Sequence, residues 1–347
     1  MTSDWFAEAE ERRREFLSDE IKGDFSLEPM AHDMAPRFYH RIHTVNKTMI
    51  LLESAPDGHR QALPGHELGA FMKVAAFLRG QGFRVPEIYA SSEYLGFILL
   101  EDFGNLTFET ALDEATETDV RELYMRATQL LMKLKRIGSN KLFEFPVFWG
   151  SRLDNGIGRF TDWFLPYLFG RPVTDGEKAA FNDMLIDAKS VLPAIEPGFV
   201  HGDFHPSNLM ILQNGELGLL DFQAAMRGPS IYDLANLLHD ARRNVPKDII
   251  WDCQNLYFED EEGDLSDWYN FLSLHFHLRV IGQFIKVAIM TGKTSYLSHL
   301  DRLWGYLGES RISAFQSYAE QANIDFSKAL PPLDMEKIKT YIRPDAA

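Results

Sequence analysis

Residues 201–222 read HGDFHPSNLMILQNGELGLLDF and bring Asp203, Asn208 and Asp221 into one short stretch with two imidazoles, His201 and His205. Asn208 and Asp221 are hard oxygen donors, the kind that holds Mg²⁺ through one or two protein ligands while water and phosphate oxygens complete the shell. Asn214-Gly215 between apolar runs is a strong hairpin signal. Taken as a two-residue turn, it pairs Leu212 with Leu217, Leu209 with Leu220 and Asn208 with Asp221. That register predicts the amide and the carboxylate directly across from one another, both on one face. Asp203 stands on a loop kept irregular by Gly202 and Pro206, beside such a cation and able to accept a proton from an attacking hydroxyl. Two other readings compete. Asn and Asp flank hairpins for turn chemistry alone, and His201 with His205 has the i, i+4 spacing of a zinc pair. The zinc geometry needs a helix, which Gly202 and Pro206 oppose. The expectation is therefore that His201 supports the loop from beneath and that His205 lies nearer a substrate.

The elements that must position these residues follow from periodicity. Residues 1–20 have a helical apolar pattern, RFYHRIHTVNKTMILLES reads as two strands about a turn at Asn46-Lys47, and HELGAFMKVAAFLRGQG reads as a helix ended by Gly80 or Gly82. VPEIYASSEYLGFILLEDFG supplies two more strands, the second over Gly96–Leu100. After residue 105 helical periodicity dominates, with the strands near 198–222 as the exception, and everything beyond Gly228 reads helical. The pattern is α+β: a strand-rich lobe over 1–104 and a larger helical lobe over 105–347 that carries the catalytic stretch.

A chain of 347 residues has room for two such lobes. Its formal charge of −16 repels phosphate backbones, so nucleic acid is not an expected partner, while a small cationic ligand is compatible. One cysteine, Cys253, excludes an internal disulfide and a cysteine-rich zinc cluster. The N-terminal segment is charged from residue 4 and lacks a signal-peptide core, and no apolar run approaches the ~18–20 residues of a bilayer span, so a cytoplasmic location is expected. The oligomeric state is left open, a monomer being compatible. The acidic run Glu259–Glu262 reads as a solvated loop.

HGDFHPSN followed by LLDFQ resembles the catalytic loop and metal segment of the aminoglycoside phosphotransferase family, which is protein-kinase-like and bilobal and includes choline kinases. LLDFQAAMRGPSIYDLANLLHDA, GFILLEDFGNLTF, RVPEIYA and HLRVIGQFIKVAIMTGKTSYL are similar to the N-acetylmuramate/N-acetylglucosamine anomeric kinases within it. The resemblance runs from about residue 30 to residue 310. It implies an ATP- and Mg²⁺-dependent small-molecule kinase with Asp203 as base and Asn208 and Asp221 as metal ligands. It further implies a nucleotide hinge at Glu101-Asp-Phe-Gly104, hence Glu101 and Phe103 beside the nucleotide, and Asp233 as a support of the catalytic loop. His205, Gln223, Asp240 and Arg279 are the expected substrate residues.

The strand-rich lobe departs from that pattern. The phosphate-loop equivalent, residues 31–37 (AHDMAPR), has no glycine or serine, so the Met34 amide and the Arg37 charge are the expected replacements. The strand MILLES lacks a lysine. Those gaps keep a nucleotide-binding pseudokinase open beside the kinase reading, and a metal-dependent hydrolase remains a third. An aminoglycoside or amino-alcohol acceptor is the alternative to the amino sugar.

Overall fold

The computed structural model describes residue 5 and residues 9–30, 37–59, 67–261 and 263–342. Met34, and the rest of the segment expected to replace a glycine-rich loop up to residue 36, lies outside the described residues, as does Glu262. The chain packs as two compact units, Met1–Leu123 with His201–Ala225, and Tyr124–Val200 with Met226–Ala347. The sequence pattern groups residues 201–225 with the helices, whereas their packing is with the strand-rich unit. The reason is local. Phe222 packs on Phe71 with ring centroids 4.9 Å apart, Thr107 bridges Met210, and the Ile211 amide donates to the Leu106 carbonyl.

The first unit is built on an antiparallel sheet of β1 (Phe25–Pro29), β2 (Arg37–Thr44), β3 (Thr48–Ser54), β4 (Ile88–Ser92) and β5 (Phe97–Glu101), in the order β1-β2-β3-β5-β4. Helix α1 (Ala9–Glu20) closes one face. Its Phe16 and Leu17 join Ile21, Ile42, Met49, Leu51, Phe97 and Leu99 in a buried cluster. Burying one such side chain contributes roughly 1.5–3 kcal/mol, and Phe97–Leu100 of β5 are all buried, so that strand reads as a continuous apolar run. The β2–β3 turn falls on Val45-Asn46, one residue before the expected Asn46-Lys47, because Thr44 closes it by donating its amide to the Lys47 carbonyl at 3.1 Å. β1 has no strong pattern of its own and is added on the sheet edge by pairing with β2. Helix α2 (Leu68–Gly80) buries Leu68, Phe71, Val74, Ala75 and Leu78, and Gly82, at φ +84°, ends it in the left-handed region that favours glycine. Helix α3 (Phe108–Glu114) follows, capped by the Thr107 hydroxyl.

The second unit holds most of α4 (Glu117–Lys135), the short α5 (Arg152–Asn155) and α6 (Leu165–Phe169), then α7 (Asp175–Ser190). After it come strand β6 (Gly198–Val200), strand β9 (Met226–Gly228) and helices α8 (Ile231–Leu238), α9 (Lys247–Phe258), α10 (Ser266–Thr291), α11 (Leu300–Gly308), α12 (Ser313–Gln321) and α13 (Met335–Lys339). The strands β7 (Leu209–Ile211) and β8 (Leu217–Leu219), which lie between β6 and β9 in the chain, belong to the first unit. β6 pairs with β9, a three-residue strand too short to give a period-2 signal. Among the described residues no helix is long and apolar enough to cross a membrane.

The helical core holds histidines neutral. His277, 2% exposed, stacks on His239 (5.5 Å, 9°) and on Tyr306 (4.7 Å, 15°), and its Nε2 lies 3.2 Å from the His239 carbonyl. Burial pushes the His239 pKa down to about 4, and burial followed by the neighbouring His239 ring pushes His277 down as well. Both groups take up protons on unfolding below the ordinary histidine value of ~6.5, so their contribution is complete above that pH. The His239 share is lost as pH falls from there toward about 4, and the His277 share is lost as pH falls well below the ordinary histidine value. Each contributes about 1.4 kcal/mol per pH unit inside its window. The melting temperature, followed by calorimetry, is expected to fall steadily from pH 7 to pH 4.5, and His239→Gln to flatten that decline. A level melting temperature across this range contradicts the account.

Candidate active site

The loop that carries Asp203 leaves β6 at Val200 and reverses at Gly202, whose φ of +89° is a conformation that an L side chain rarely adopts. This reversal lets His201 fold under the loop. His201 is fully buried (0% exposed), with its Nε2 3.0 Å from the Leu220 carbonyl and its Nδ1 accepting from the Asp203 amide at 3.4 Å. A carbonyl partner at Nε2 and an amide partner at Nδ1 define the neutral Nε2–H tautomer. Burial drives its pKa down against the opposing pull of Asp203 and Asp221. Both ring nitrogens are thus engaged by backbone, which removes His201 from the zinc reading. Its role is a clamp between the loop carrying Asp203 and the strand leading to Asp221.

Asp203 is the exposed member of the group, with 45% of its side chain accessible. Its Oδ2 accepts from Asn208 Nδ2 at 3.2 Å and lies 3.4 Å from His205 Nε2. Asn208 Nδ2 also donates to the Asp203 carbonyl at 2.9 Å and lies 3.2 Å from His205 Nε2. Two oxygen acceptors on Nδ2 fix the orientation of the amide and leave Oδ1 as the atom available to a cation. A one-turn 3₁₀ segment, Pro206–Asn208, sets this geometry, and Ser207 anchors it by donating to Glu109 at 2.6 Å. Glu109, in the first turn of α3, was not evident from the sequence because nothing local links it to a loop 98 positions later.

The hairpin register differs by one residue from the two-residue turn. Leu209 pairs with Leu219, Met210 with Gly218 and Ile211 with Leu217, while the Gly215 amide donates to the Leu212 carbonyl and the Leu212 amide to that of Glu216. A two-residue type I′ turn needs positive φ at both central residues. Gly215 has it (+81°) and Asn214 does not, so the loop is a three-residue turn closed by a glycine bulge. Asn208 therefore stands opposite Leu220, whose amide donates to the Asn208 carbonyl at 2.9 Å, and not opposite Asp221. A slip of one position turns a side chain to the other face of a strand. Asp221 departs from the strand by adopting φ +56°, a left-handed conformation rare outside Gly, Asn and Asp. Its Oδ1 accepts from Gln223 Nε2 at 2.6 Å. Gln223, 5% exposed, makes this bond to the Asp221 carboxylate from a buried position. Asp203 and Asp221 both act on the His201 imidazole, which ties the two carboxylates to one neighbourhood without the direct pairing.

Tyr39 connects the sheet to this group. Burial raises its pKa, Arg37 opposes that shift by charge and hydrogen bond, and the Asp221 charge adds to it. Arg37, 3% exposed, is therefore next to Tyr39 in the same electrostatic environment as Asp221. The Glu101 carboxylate is held by Arg84 at 2.8 Å and by the Glu87 amide, and Asp102 by Arg41 at 2.8 Å and the Gly104 amide. Both acids of the EDFG segment are thus structural. The Phe103 ring covers Gly218 so closely that a Cβ there would meet Cε2 at 2.5 Å. Lys47 lies over the Tyr89 ring at 3.8 Å, and the buried positions of β3 are Met49, Leu51, Leu52, Glu53 and Ser54.

In the second unit Asp233 is buried in the first turn of α8, and Asp240 is buried with its Oδ1 accepting from the Arg242 amide at 2.9 Å. Arg279, on α10, donates through Nε to the Tyr232 hydroxyl at 3.1 Å. Among the described residues no three His, Cys, Asp or Glu side chains are grouped as a metal site. A carboxylate and an amide oxygen, Asp221 and Asn208, fit Mg²⁺, which needs few protein ligands.

The first unit thus presents an exposed carboxylate, Asp203, an amide oxygen, Asn208, and a second carboxylate, Asp221, around a loop clamped by His201. A family model described as the phosphotransferase enzyme family, APH, matches residues 26–262. The chain belongs to that family. Curated relatives include the N-acetylmuramate/N-acetylglucosamine kinase of Neisseria meningitidis serogroup B, 29% identical over 86% of this chain and 88% of that protein. The enzyme of that name from Pseudomonas aeruginosa is 28% identical over 85% of this chain and 86% of its own length. Solved structures with the same fold include choline kinase LicA of Streptococcus pneumoniae, with a TM-score of 0.63 and 14% identity, covering 86% of this chain and 99% of that one. Aminoglycoside phosphotransferase APH(4)-Ia gives 0.57 at 14% identity, covering 85% and 98%.

Proposed function

We propose that this phosphotransferase uses ATP and Mg²⁺ to phosphorylate the anomeric hydroxyl of an N-acetyl amino sugar. The observation that carries the reaction is the half-exposed Asp203 carboxylate, held by Asn208 and His205 on a loop that a neutral His201 clamps. Such a carboxylate accepts the hydroxyl proton as the oxygen attacks the γ-phosphorus. The bond from that phosphorus to the β,γ-bridging oxygen breaks, and ADP leaves. Asn208 Oδ1 and Asp221 would hold Mg²⁺, which when bound neutralises phosphate charge. Gln223 orients the Asp221 carboxylate through its 2.6 Å hydrogen bond. On the nucleotide side we assign Arg37, the Met34 amide and the backbone of Glu101–Phe103. On the acceptor side we assign His205, Gln223, Asp240 and Arg279, with Asp233 as support. The net charge of −16 and a single, buried cysteine fit a cytoplasmic enzyme.

The amino-sugar acceptor rests on the relatives, whose names carry it and which align over most of both chains. ADP release is expected with N-acetylmuramate or N-acetylglucosamine and not with kanamycin or choline. The 1-O-methyl glycoside of N-acetylglucosamine, which lacks the anomeric hydroxyl, is expected to be inert. Turnover of that glycoside would move the reaction to another hydroxyl. Tight ATP binding without ADP release from any acceptor would make the chain a nucleotide-binding protein.

A further inference from the structure

In a chain of charge −16, the second unit gathers a group of cations along one face of α10. Between Leu278 and Ala288 only Arg279, Gln283 and Lys286 of α10 are not buried, and their i, i+4, i+7 spacing puts them on one face. Arg159 is seated against that helix by two glycines. A Cβ at Gly282 would collide with the Arg159 carbonyl oxygen. A Cβ at Gly156 would collide with Arg159 Nη1 and meet Arg279 Cδ at 3.2 Å.

Burial, then the charges of Arg279 and Arg152, bring the Arg159 pKa down to about 10. Burial, then the charges of Arg159 and Arg152, bring Lys286 down. The one carboxylate that acts on Lys286, Asp162, is already bound to Lys178 at 2.5 Å. Among the described residues Arg159, Arg279 and Lys286 form no ion pair. Their polar neighbours are the Tyr232 hydroxyl, 3.1 Å from Arg279 Nε, and the Trp163 ring, 5.4 Å from Lys286 Nζ. Like charges drawn together and partly removed from water raise the free energy of the unliganded fold. An oxyanion lowers it, and guanidinium groups suit one by paired hydrogen bonds.

We propose that Arg159, Arg279 and Lys286, with Arg152 at the rim, form a carboxylate site whose ligand is the carboxyl group of an acidic N-acetyl amino sugar. This inference rests on the acceptor reading above. Of the two sugars in the relatives' names, N-acetylmuramate carries an ether-linked lactyl carboxylate and N-acetylglucosamine does not. A cationic cluster distinguishes the two by that group alone.

The test is the ratio of kcat/KM for N-acetylmuramate to that for N-acetylglucosamine, in the unmodified protein and in Lys286→Met and Arg159→Gln. The ratio is expected to fall about tenfold or more in each variant, and calorimetry on the nucleotide-free protein is expected to show the same loss for N-acetylmuramate. Lys286 lies on an accessible helix face, so its removal spares the core and keeps the test readable if Arg159→Gln folds poorly. Turnover of both sugars at an unchanged ratio overturns the carboxylate site and leaves the acceptor reading standing. Binding of inorganic phosphate to the cluster, with no binding of N-acetylmuramate, overturns the carboxylate site in the same way. Turnover of neither sugar overturns the acceptor reading itself, and the site assignment falls with it.

Discussion

Asp203→Asn is expected to lower kcat by about 10²–10⁴-fold, the usual contribution of a positioned general base, while nucleotide affinity stays within a few-fold. The substitution is nearly isosteric and keeps an oxygen where Asn208 Nδ2 donates at 3.2 Å. The loop remains clamped by His201, which binds the residue 203 amide and the Leu220 carbonyl without using the Asp203 carboxylate as an acceptor. What is removed is the basic oxygen. Because 45% of this side chain is accessible, the loss should appear in turnover more than in melting temperature. Stopped-flow ADP release and calorimetric nucleotide binding, measured on one preparation, separate the two. A variant that keeps more than about a tenth of the unmodified turnover excludes Asp203 as the base, since that leaves less than the lower bound for such a group.

The outcome at Asp203 also bears on how much of this site could be read from sequence. Gly202, Pro206 and the polar residues between them announce an irregular loop with a carboxylate, and the loop is there. The apolar patterns of α2 and β5 were legible because burial fixes residue type, at every third or fourth position along α2 and at four consecutive positions, Phe97–Leu100, along β5. Register was not legible at the same level. Asn214-Gly215 supports either a two-residue or a three-residue loop, and the choice depends on the φ of Asn214 alone. That one residue decides whether Asp221 faces Asn208. Its left-handed backbone and its bond from Gln223 lie beyond any periodicity argument. The cation cluster was hidden for another reason. Arg159 and Arg279 are separated by more than a hundred positions and meet because Gly156 and Gly282 leave no side chain between them. A sequence displays the two glycines without saying what fills the space they vacate.

Asp221→Asn offers the second large effect. The variant keeps the left-handed backbone, which asparagine tolerates about as well as aspartate, and keeps an oxygen for the 2.6 Å bond from Gln223. Only one negative charge is lost, so a change in metal requirement is not confounded with unfolding. The Mg²⁺ concentration for half-maximal ADP release is expected to rise about 10–100-fold, with an unchanged melting temperature. Asn208→Ala should behave differently. Its Nδ2 holds the Asp203 carbonyl and carboxylate, and its Oδ1 is the atom left for the cation. Truncation therefore disturbs base and metal together, so kcat at saturating Mg²⁺ should fall as well as the apparent metal affinity. If both variants keep the unmodified Mg²⁺ dependence, the metal is held elsewhere and the hairpin end serves only to shape the loop. If Asn208→Ala loses turnover while its Mg²⁺ dependence is unchanged, Asn208 is a positioning residue for Asp203, and Asp221 is the protein's contribution to the cation.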